Sequence, residues 1–415
     1  MDALVTNDVL AACVIAWMVA QFSKPLINYV HTRRFNLRYF VSAGGMPSSH
    51  SAVVVALATR IGVDTGLNSV PFALSAVFAA VQLNEVWPLF TMTAVAGECP
   101  IISSMTMTIS RDVLGAIGNT PLVQLRKVVP TDSARVVVKL EGANPTGNMK
   151  DRMAKSAIEA AEADGRLRPG SIVVEYTGGS TGPSLALVCA AKQYPIKIIT
   201  SDAFSEEKTR TAQALGAQII LIPSDNKRIT AELITAMVDA ARKLGSQPGH
   251  WWFDQLNNAD AAAGYHPMGE EIWSQTSGRV DAYVQAVGTA HSLNGVARVL
   301  RRHNPKLHVV AAEPAETPVL SGGQKGSHRI EGIGIGFIPP HWRREEVDEV
   351  ESATSEEAMS MCRRLAREEG IFAGTSSGLN VIAALRVARK LGPDATVATI
   401  MIDSGLRYMS TDLYR

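Results

Sequence analysis

Asn144-Pro-Thr-Gly-Asn-Met-Lys-Asp-Arg152 joins two segments of opposite character. Before it, Arg135-Val-Val-Val-Lys-Leu140 is rich in β-branched residues and reads as a strand. After it, Met153 to Ala163 has the composition of a helix. The stretch is therefore a strand-to-helix loop of an α/β fold, with Lys150 at the junction, where a helix N-terminus disfavours an ammonium. An amine held this way is suited to a Schiff base with an aldehyde. A lysine in such a place is otherwise a surface residue that starts a helix, and the loops that follow tip the balance.

Two further loops occupy the same kind of junction. Glu175-Tyr-Thr-Gly-Gly-Ser-Thr-Gly182 follows the apolar run Ser171-Ile-Val-Val174 and precedes the helical pattern Ser184-Leu-Ala-Leu-Val-Cys-Ala-Ala191. Glycines let main-chain N–H groups turn toward a ligand, and the helix dipole favours an anion there. Gly288-Thr-Ala-His-Ser292 lies between Val280-Asp-Ala-Tyr-Val-Gln-Ala-Val287 and the helix-like Leu293 to Arg301, a second anion site suited to phosphate. Many α/β turns are glycine-rich for steric reasons alone. Two such loops together with a junctional lysine form a set that points to chemistry.

With these residues in place, the chain from about Ile109 to Arg415 resembles the cysteine synthase and cystathionine β-synthase family, fold-type II pyridoxal-phosphate enzymes. The matching segments run in order: Ile117-Gly-Asn-Thr-Pro-Leu-Val-Gln-Leu125, Asn144-Pro to Lys150-Asp-Arg152, the Thr177 and Gly288 loops, Ile330-Glu-Gly-Ile-Gly-Ile-Gly-Phe-Ile-Pro339, Gly374-Thr-Ser-Ser-Gly378 and Asp403-Ser-Gly-Leu-Arg-Tyr-Met-Ser-Thr411. The resemblance implies two doubly wound α/β domains, tryptophan synthase β-like, with pyridoxal 5′-phosphate in the cleft. It implies that Lys150 holds the cofactor aldehyde and then serves as acid and base at the substrate α-carbon. Thr177, Gly178, Gly179 and Thr181 would grip the substrate carboxylate, with Gln255 nearby. Gly288, Thr289, Ala290, His291 and Ser292 would bind the cofactor phosphate. Ser376 matches the serine that faces the pyridine nitrogen, where a hydroxyl leaves the ring a moderate electron sink suited to β-elimination. Ser376 also reads as a helix N-cap before Gly378-Leu-Asn-Val-Ile-Ala-Ala-Leu385.

Three departures from the family pattern bear on the substrate. Ser180 stands where the family has asparagine beside the cofactor's phenolic oxygen, and its hydroxyl has a shorter reach. Ala290 and His291 replace glycines of the phosphate loop; His291 reads either as an added phosphate contact or as a solvent-facing loop residue. Asp254-Gln-Leu-Asn-Asn-Ala-Asp260 and Gly264-Tyr-His-Pro-Met-Gly269 differ from the usual threonine-rich version. These changes leave the cofactor expectation intact and weaken that of a standard O-acetylserine substrate.

Length and charge agree with an α/β enzyme. A chain of 415 residues suggests two or three domains, and a formal net charge of +1 offers no basic patch for nucleic acid. Cys13, Cys99, Cys189 and Cys362 are scattered, form no CxxC pair and have no metal-ligand spacing; they read as reduced thiols, and no metal is expected. From about residue 110 onward strand-like and helix-like stretches alternate, as in Lys197–Thr200, Gln218–Ile222, Leu307–Ala312 and Ala395–Ile402. By family analogy residues 153–260 form a smaller mobile domain, and 109–152 plus 261–415 the larger, cofactor-binding one.

Residues 1–90 read as an apolar all-α segment, with residues 91–108 as a linker. Val9 to Ala20 is continuously apolar, and Ser51 to Ile61 and Val70 to Val81 follow, none reaching the ~18 apolar residues of a clear spanning helix. Asp2 and Asp8 speak against a cleaved signal peptide, and Lys24, Arg33, Arg34 and Arg38 favour a cytoplasmic loop. Gly44-Gly-Met-Pro-Ser-Ser-His-Ser-Ala52 resembles the divergent PAP2 membrane family, related to acid phosphatases and vanadium haloperoxidases, and the resemblance over residues 1–83 is truncated. It would make His50 a proton donor to phosphate, yet the basic-residue motif that carries the second, nucleophilic histidine is missing before residue 109; Ser48 or Ser49 capping a helix is the plainer reading. Met105 and Met107 stand immediately before the enzyme-like start, the pattern expected where two neighbouring genes are joined, by evolution or by a gene model.

The expectation is a pyridoxal-phosphate β-replacement enzyme making L-cysteine from O-acetylserine or another activated serine and sulfide, through a Lys150 aldimine and an aminoacrylate. Its partners are then a small amino acid, sulfide and a second copy of the chain; the enzyme part is cytoplasmic, with membrane association through residues 1–90. Cystathionine β-synthase or serine dehydratase chemistry stands as the alternative on the same scaffold. A ligand-binding or membrane-scaffold homologue is the alternative without catalysis, and Lys150 argues against it.

Overall fold

The computed structural model describes residues 109–226 and 230–415, together with 12–19, 22–23, 55–57, 59, 61 and 63–64 of the N-terminal part. The chain divides into two compact units, Met1–Thr108 and Ile109–Arg415. The described residues of the first unit are helical. Among the described residues no helix is long and apolar enough to cross a membrane. The Gly44–Ala52 stretch, with His50, Ser48 and Ser49, lies outside the described residues, as do Cys99 and the linker.

The second unit alternates strands and helices along the chain. It opens with β1 (Leu122–Gln124), β2 (Arg135–Leu140), α1 (Lys150–Ala163), β3 (Ile172–Tyr176), α2 (Thr181–Lys192) and β4 (Ile196–Ser201). Then come α3 (Glu206–Ala214), β5 (Gln218–Ile222), α4 (Ala231–Gly245), β6 (His250–Trp252), α5 (His266–Gln275) and β7 (Ala282–Ala286). It closes with α6 (His291–His303), β8 (His308–Pro314), β9 (Glu349–Ala353), α7 (Ser355–Arg364), α8 (Thr375–Leu391) and β10 (Thr396–Met401). β2 and β5 have the boundaries their β-branched runs predict. Three helices start earlier than expected, at Lys150, Thr181 and His291, which puts those three residues themselves in first helical turns.

Two sheets result. A six-stranded sheet has the order β1-β2-β10-β7-β8-β9, and a four-stranded sheet the order β5-β4-β3-β6. Only β1 runs antiparallel to its neighbour; the other pairings are parallel, with Thr396 opposite Arg135 and Met401 opposite Leu140 where β10 meets β2. β7 and β10 are buried along their whole length, as parallel strands covered on both faces must be. Successive residues feed opposite layers: Val137, Tyr283, Val309 and Ala311 join one core, while Val136, Val138, Val284, Val310 and Ala312 join the other. A third cluster, with Val174, Ile199, Leu233 and Met237, backs the four-stranded sheet.

A buried charge network fixes α1 against β2 and α5. Arg152 donates side-on to Glu141, Nε to Oε2 at 2.7 Å and Nη2 to Oε1 at 2.8 Å, and to both Glu271 oxygens at 2.7 and 2.8 Å. The fully buried Lys139 pairs with Glu271 at 2.6 Å. Losing one partner would strand a buried charge, so the network holds the orientation of the helix that begins with Lys150.

Candidate active site

Lys150 is the first residue of α1. The Asn148 carboxamide oxygen accepts its main-chain N–H at 2.7 Å, which lets the helix begin at the lysine. Its side chain keeps some exposure, yet burial pushes the ammonium down to about 8. A neutral amine is therefore accessible near physiological pH. Beside it Asp151 is fully buried and accepts from the Thr146 N–H at 2.8 Å, the Thr146 hydroxyl at 2.5 Å and the Ser184 hydroxyl at 2.6 Å. Burial raises the Asp151 carboxyl, opposed by these donors.

Ser184 ties the lysine's helix to the first glycine loop, because it lies in the second turn of α2, whose first residue is Thr181. Thr177, Gly178, Gly179 and Ser180 form the half-buried loop ahead of that helix. The Gly179 N–H donates to the Thr177 hydroxyl oxygen at 2.9 Å. Gly178 must be glycine, since an added Cβ would fall 2.2 Å from the Phe204 ring. The Thr181 hydroxyl donates to the Gln255 carboxamide oxygen, which joins two sequence-predicted site residues. Gln255 is in turn anchored by its N–H to the Glu175 carboxylate at 3.1 Å. Glu175 is fully buried, and burial lifts its carboxyl well above the usual range.

The second loop is tied to the residue on the lysine's other side. The Gln285 carboxamide donates to the Ser292 hydroxyl and approaches the Met149 sulfur at 3.9 Å. Gly288 is required by close approach: a Cβ there would lie 2.6 Å from the Gly332 carbonyl. Ala290 holds a left-handed conformation, φ 70°, at a position that favours glycine. His291 opens α6 and is 1 % exposed. The reading of His291 as a solvent-facing residue is therefore corrected: the loop turns its ring inward against His341, centroids 4.4 Å apart. Burial, then His341 and Lys150, push its imidazole down to about 3, so it is neutral at physiological pH.

Ser376 is buried in the first turn of α8. The N-cap reading of Ser376 is also corrected, because Gly374 occupies the cap and the helix begins at Thr375. Its neighbour Ser377 accepts the Ile402 N–H at 3.0 Å, and the Ile402 carbonyl accepts the Met149 N–H at 3.0 Å. The lysine, both glycine loops and Ser376 thus lie at the carboxyl ends of parallel strands. There β10 separates β2 from β7, where such sheets place their ligands.

Pyridoxal phosphate fits this arrangement on the structure's own terms. The lysine amine is depressed toward neutrality, two loops present the N-termini of α2 and α6, and the buried His291 Nε2 and Asp403 Oδ1 have no protein partner. Residues 113–403 match the family described as pyridoxal-phosphate dependent enzyme. The chain belongs to the pyridoxal-phosphate dependent enzyme family. Cysteine synthase of Staphylococcus aureus is 41 % identical over 300 residues, covering 72 % of this chain and 95 % of that protein. The crystal structure of cysteine synthase from Entamoeba histolytica aligns with a TM-score of 0.70 at 36 % identity, covering 76 % of this chain and 94 % of that one. The structure of O-acetylserine dependent cystathionine β-synthase from Helicobacter pylori gives 0.69 at 32 % identity, covering 74 % and 100 %. Residues 5–86 match the family described as divergent PAP2.

Membership makes this chain an enzyme that uses pyridoxal phosphate. Several residues around the site carried no sequence signal of their own: Asn148, Ser184, Glu175 and Gln285 act through long-range hydrogen bonds. Lys208, on α3, pairs with Glu331 and stands 5.3 Å over the Tyr408 ring, while Tyr408 donates to Asp403 at 2.8 Å. Cys189 and Cys362 are buried, and burial raises both thiols, so neither is poised as a nucleophile.

Proposed function

We propose that this enzyme catalyses β-replacement on an activated serine, O-acetylserine or a relative, with sulfide as nucleophile and L-cysteine as product. The observation that carries the reading is Lys150: an amine with its pKa lowered to about 8, flanked by Asn148 and Asp151 bonded toward the Thr177 loop and by Met149 against the Gly288 loop. Bound pyridoxal phosphate would supply the aldehyde for that amine and a ring that withdraws electrons from the substrate α-carbon. Lys150 then takes and returns the α-proton. Thr177, Gly178, Gly179 and Thr181, at the N-terminus of α2, hold the substrate carboxylate with Gln255. Gly288 to Ser292 hold the cofactor phosphate at the N-terminus of α6. Ser376 offers the pyridine nitrogen a hydroxyl in place of a charge, and Ser180 would donate to the phenolic oxygen from the position where the family has asparagine.

The relatives named cysteine synthase support this donor and nucleophile. The likeness to an O-acetylserine dependent cystathionine β-synthase favours a second reading, in which a thiol-bearing amino acid replaces sulfide. Incubating the holoenzyme with O-acetylserine plus sulfide, or plus homocysteine, and measuring cysteine and cystathionine decides between them. Formation of neither product overturns both. By family analogy the enzyme works as a homodimer in the cytoplasm. Residues 1–90 would associate with a lipid surface, supported by the exposure of Val14, Ile15, Trp17 and Val19 on a described helical stretch and by the divergent PAP2 match.

A further inference from the structure

Residues 321–339 form no helix or strand, yet one side chain organises part of this stretch. Residues 321–327 are exposed, and the chain turns inward at the half-buried His328, so that Ile330 is buried. The Ile330 N–H donates to His328 Nδ1 at 3.2 Å, and His328 Nε2 lies 2.9 Å from the Gly334 carbonyl oxygen. The imidazole thus ties Ile330 to Gly334. Glycine is needed at the far end of this tie: Gly334 has φ 60°, and a Cβ there would fall 2.7 Å from His328 Nε2.

The two partners assign the ring. A main-chain N–H only donates and a carbonyl only accepts, so Nδ1 offers the lone pair and Nε2 carries the proton. In the opposite tautomer Nδ1–H would face the Ile330 N–H, the Nε2 lone pair would face the Gly334 oxygen, and both bonds would be lost. The clamped segment bears directly on the second glycine loop. The Gly334 N–H donates to the Val287 carbonyl at 3.2 Å, and the Gly332 carbonyl packs against Gly288 so closely that a Cβ there would lie 2.6 Å away. The same segment reaches the start of α8, where the Glu331 N–H donates to the Thr375 hydroxyl at 3.1 Å, and it meets α3 through the Glu331–Lys208 pair.

We propose that His328 is a positioning residue for the cofactor-phosphate loop: as an Nε2–H imidazole it clamps residues 328–334, which seat Gly288 through Gly332 and through the Gly334–Val287 bond. The inference rests on the assignment of the Gly288–Ser292 loop to that phosphate. A segment outside helix and strand has no ladder of its own to hold its shape, so the two bonds of one imidazole set where its glycines press on the phosphate loop.

The test uses the full-length protein and three variants, His328→Leu, His328→Gln and His328→Asn, with circular dichroism as the check on folding. Pyridoxal phosphate dissociation constants are measured by titrating cofactor-free protein, and the bound phosphate is followed by ³¹P NMR. His328→Leu should weaken cofactor binding roughly tenfold, the worth of one hydrogen bond, and shift the ³¹P resonance. Its visible absorption band should stay that of wild type, because the Lys150 end of the cofactor is untouched. His328→Gln, whose amide can donate to the Gly334 carbonyl, should recover most of the affinity. His328→Asn can keep only the turn to the Ile330 N–H and should stay close to His328→Leu. Hydrogen exchange at Ile330 and Gly334 should quicken in His328→Leu with β7 and β10 unchanged. Long-range ¹H–¹⁵N spectra of histidine-labelled wild type should show the Nε2–H tautomer of His328. An Nδ1–H tautomer, wild-type affinity and ³¹P shift in His328→Leu, or better binding in His328→Asn than in His328→Gln would each overturn the proposal. So would an affinity loss in His328→Leu accompanied by an altered absorption band, the mark of damage beyond the phosphate loop. Should His328→Leu not fold, the wild-type tautomer and the Gln and Asn affinities still decide. Failure of the wild type to bind pyridoxal phosphate at all would instead remove the underlying assignment of the loop, with the tautomer and the exchange rates still reading the clamp.

Discussion

Lys150 draws its chemistry from position more than from partners. It combines helix-start geometry, burial and a pKa of about 8 with no carboxylate to hold its charge. Lys150→Ala should abolish turnover and the visible absorption of lysine-bound cofactor while leaving the fold intact by circular dichroism; a variant as active as wild type would remove the assignment. The lowered pKa also has a signed consequence. Condensation with added pyridoxal phosphate needs the neutral amine, so its rate in cofactor-free protein should climb with pH up to about 8 and level off above. The folded value lies below the usual 10.5, so the unfolded chain binds more protons between about 8 and 10.5. Cofactor-free protein should accordingly gain stability as pH rises through that window. A condensation rate still climbing steeply at pH 10 would place the amine in ordinary solvent. Ser180 poses the matching question for selectivity. Ser180→Asn should keep the cofactor and change the absorption spectrum or substrate preference, whereas Ser180→Ala should cost about 1 kcal/mol if one buried hydrogen bond is lost. Identical spectra and kinetics for the three proteins would show that Ser180 does not face the cofactor.

Helix starts carry the site, and they show what can be read in advance. β2, β5 and the two glycine loops were legible because a β-branched run and a cluster of glycines are local signals. The early starts at Lys150, Thr181 and His291 were not, since none of the three helices has a side chain at its N-cap that accepts a main-chain N–H, the local signal a sequence would show. The Asn148 carboxamide accepts the Lys150 N–H from two residues ahead, and Ser184 on α2 stitches that helix to the second by a bond to Asp151 that spans more than thirty residues. Burial of His291 was equally hidden, because the wall it packs on is His341. The Ser376 cap was misplaced by two residues because Gly374 leaves the strand-like segment in an extended conformation, φ −80° and ψ 170°, and the helix begins directly after it. One element is visibly strained. Ala290 closes the phosphate loop at φ 70°, and a left-handed conformation costs a residue with a Cβ about 1 kcal/mol. Ala290→Gly should therefore raise the urea midpoint of unfolding, with cofactor binding retained. A lowered midpoint would mean that the chain entropy of the added glycine outweighs the strain.

At the scale of the molecule, the chain pairs an N-terminal unit matching one family with a C-terminal unit matching another. The buried Glu141–Arg152–Glu271 network, both sheets and every candidate site residue lie within Ile109–Arg415. The chemistry therefore has no evident need of the first hundred residues. A protein beginning at Met107 should bind pyridoxal phosphate and turn over at the full-length rate. It should also sediment as a dimer if the family's usual assembly holds. The exposed apolar side chains Val14, Ile15, Trp17 and Val19 point the other way for the N-terminal unit, toward an apolar surface. Full-length protein should accordingly float with phospholipid vesicles while the shortened protein stays behind. A fragment of residues 1–100 should partition into detergent and hydrolyse no phosphate ester, since the basic-residue motif with the nucleophilic histidine that His50 would need is missing there. Turnover, sedimentation and flotation of the two proteins side by side separate the alternatives. If shortening abolishes activity, the N-terminal unit regulates or completes the catalytic one, and the view of two independent halves fails. If the fragment cleaves a phosphate ester, His50 belongs to a second active site.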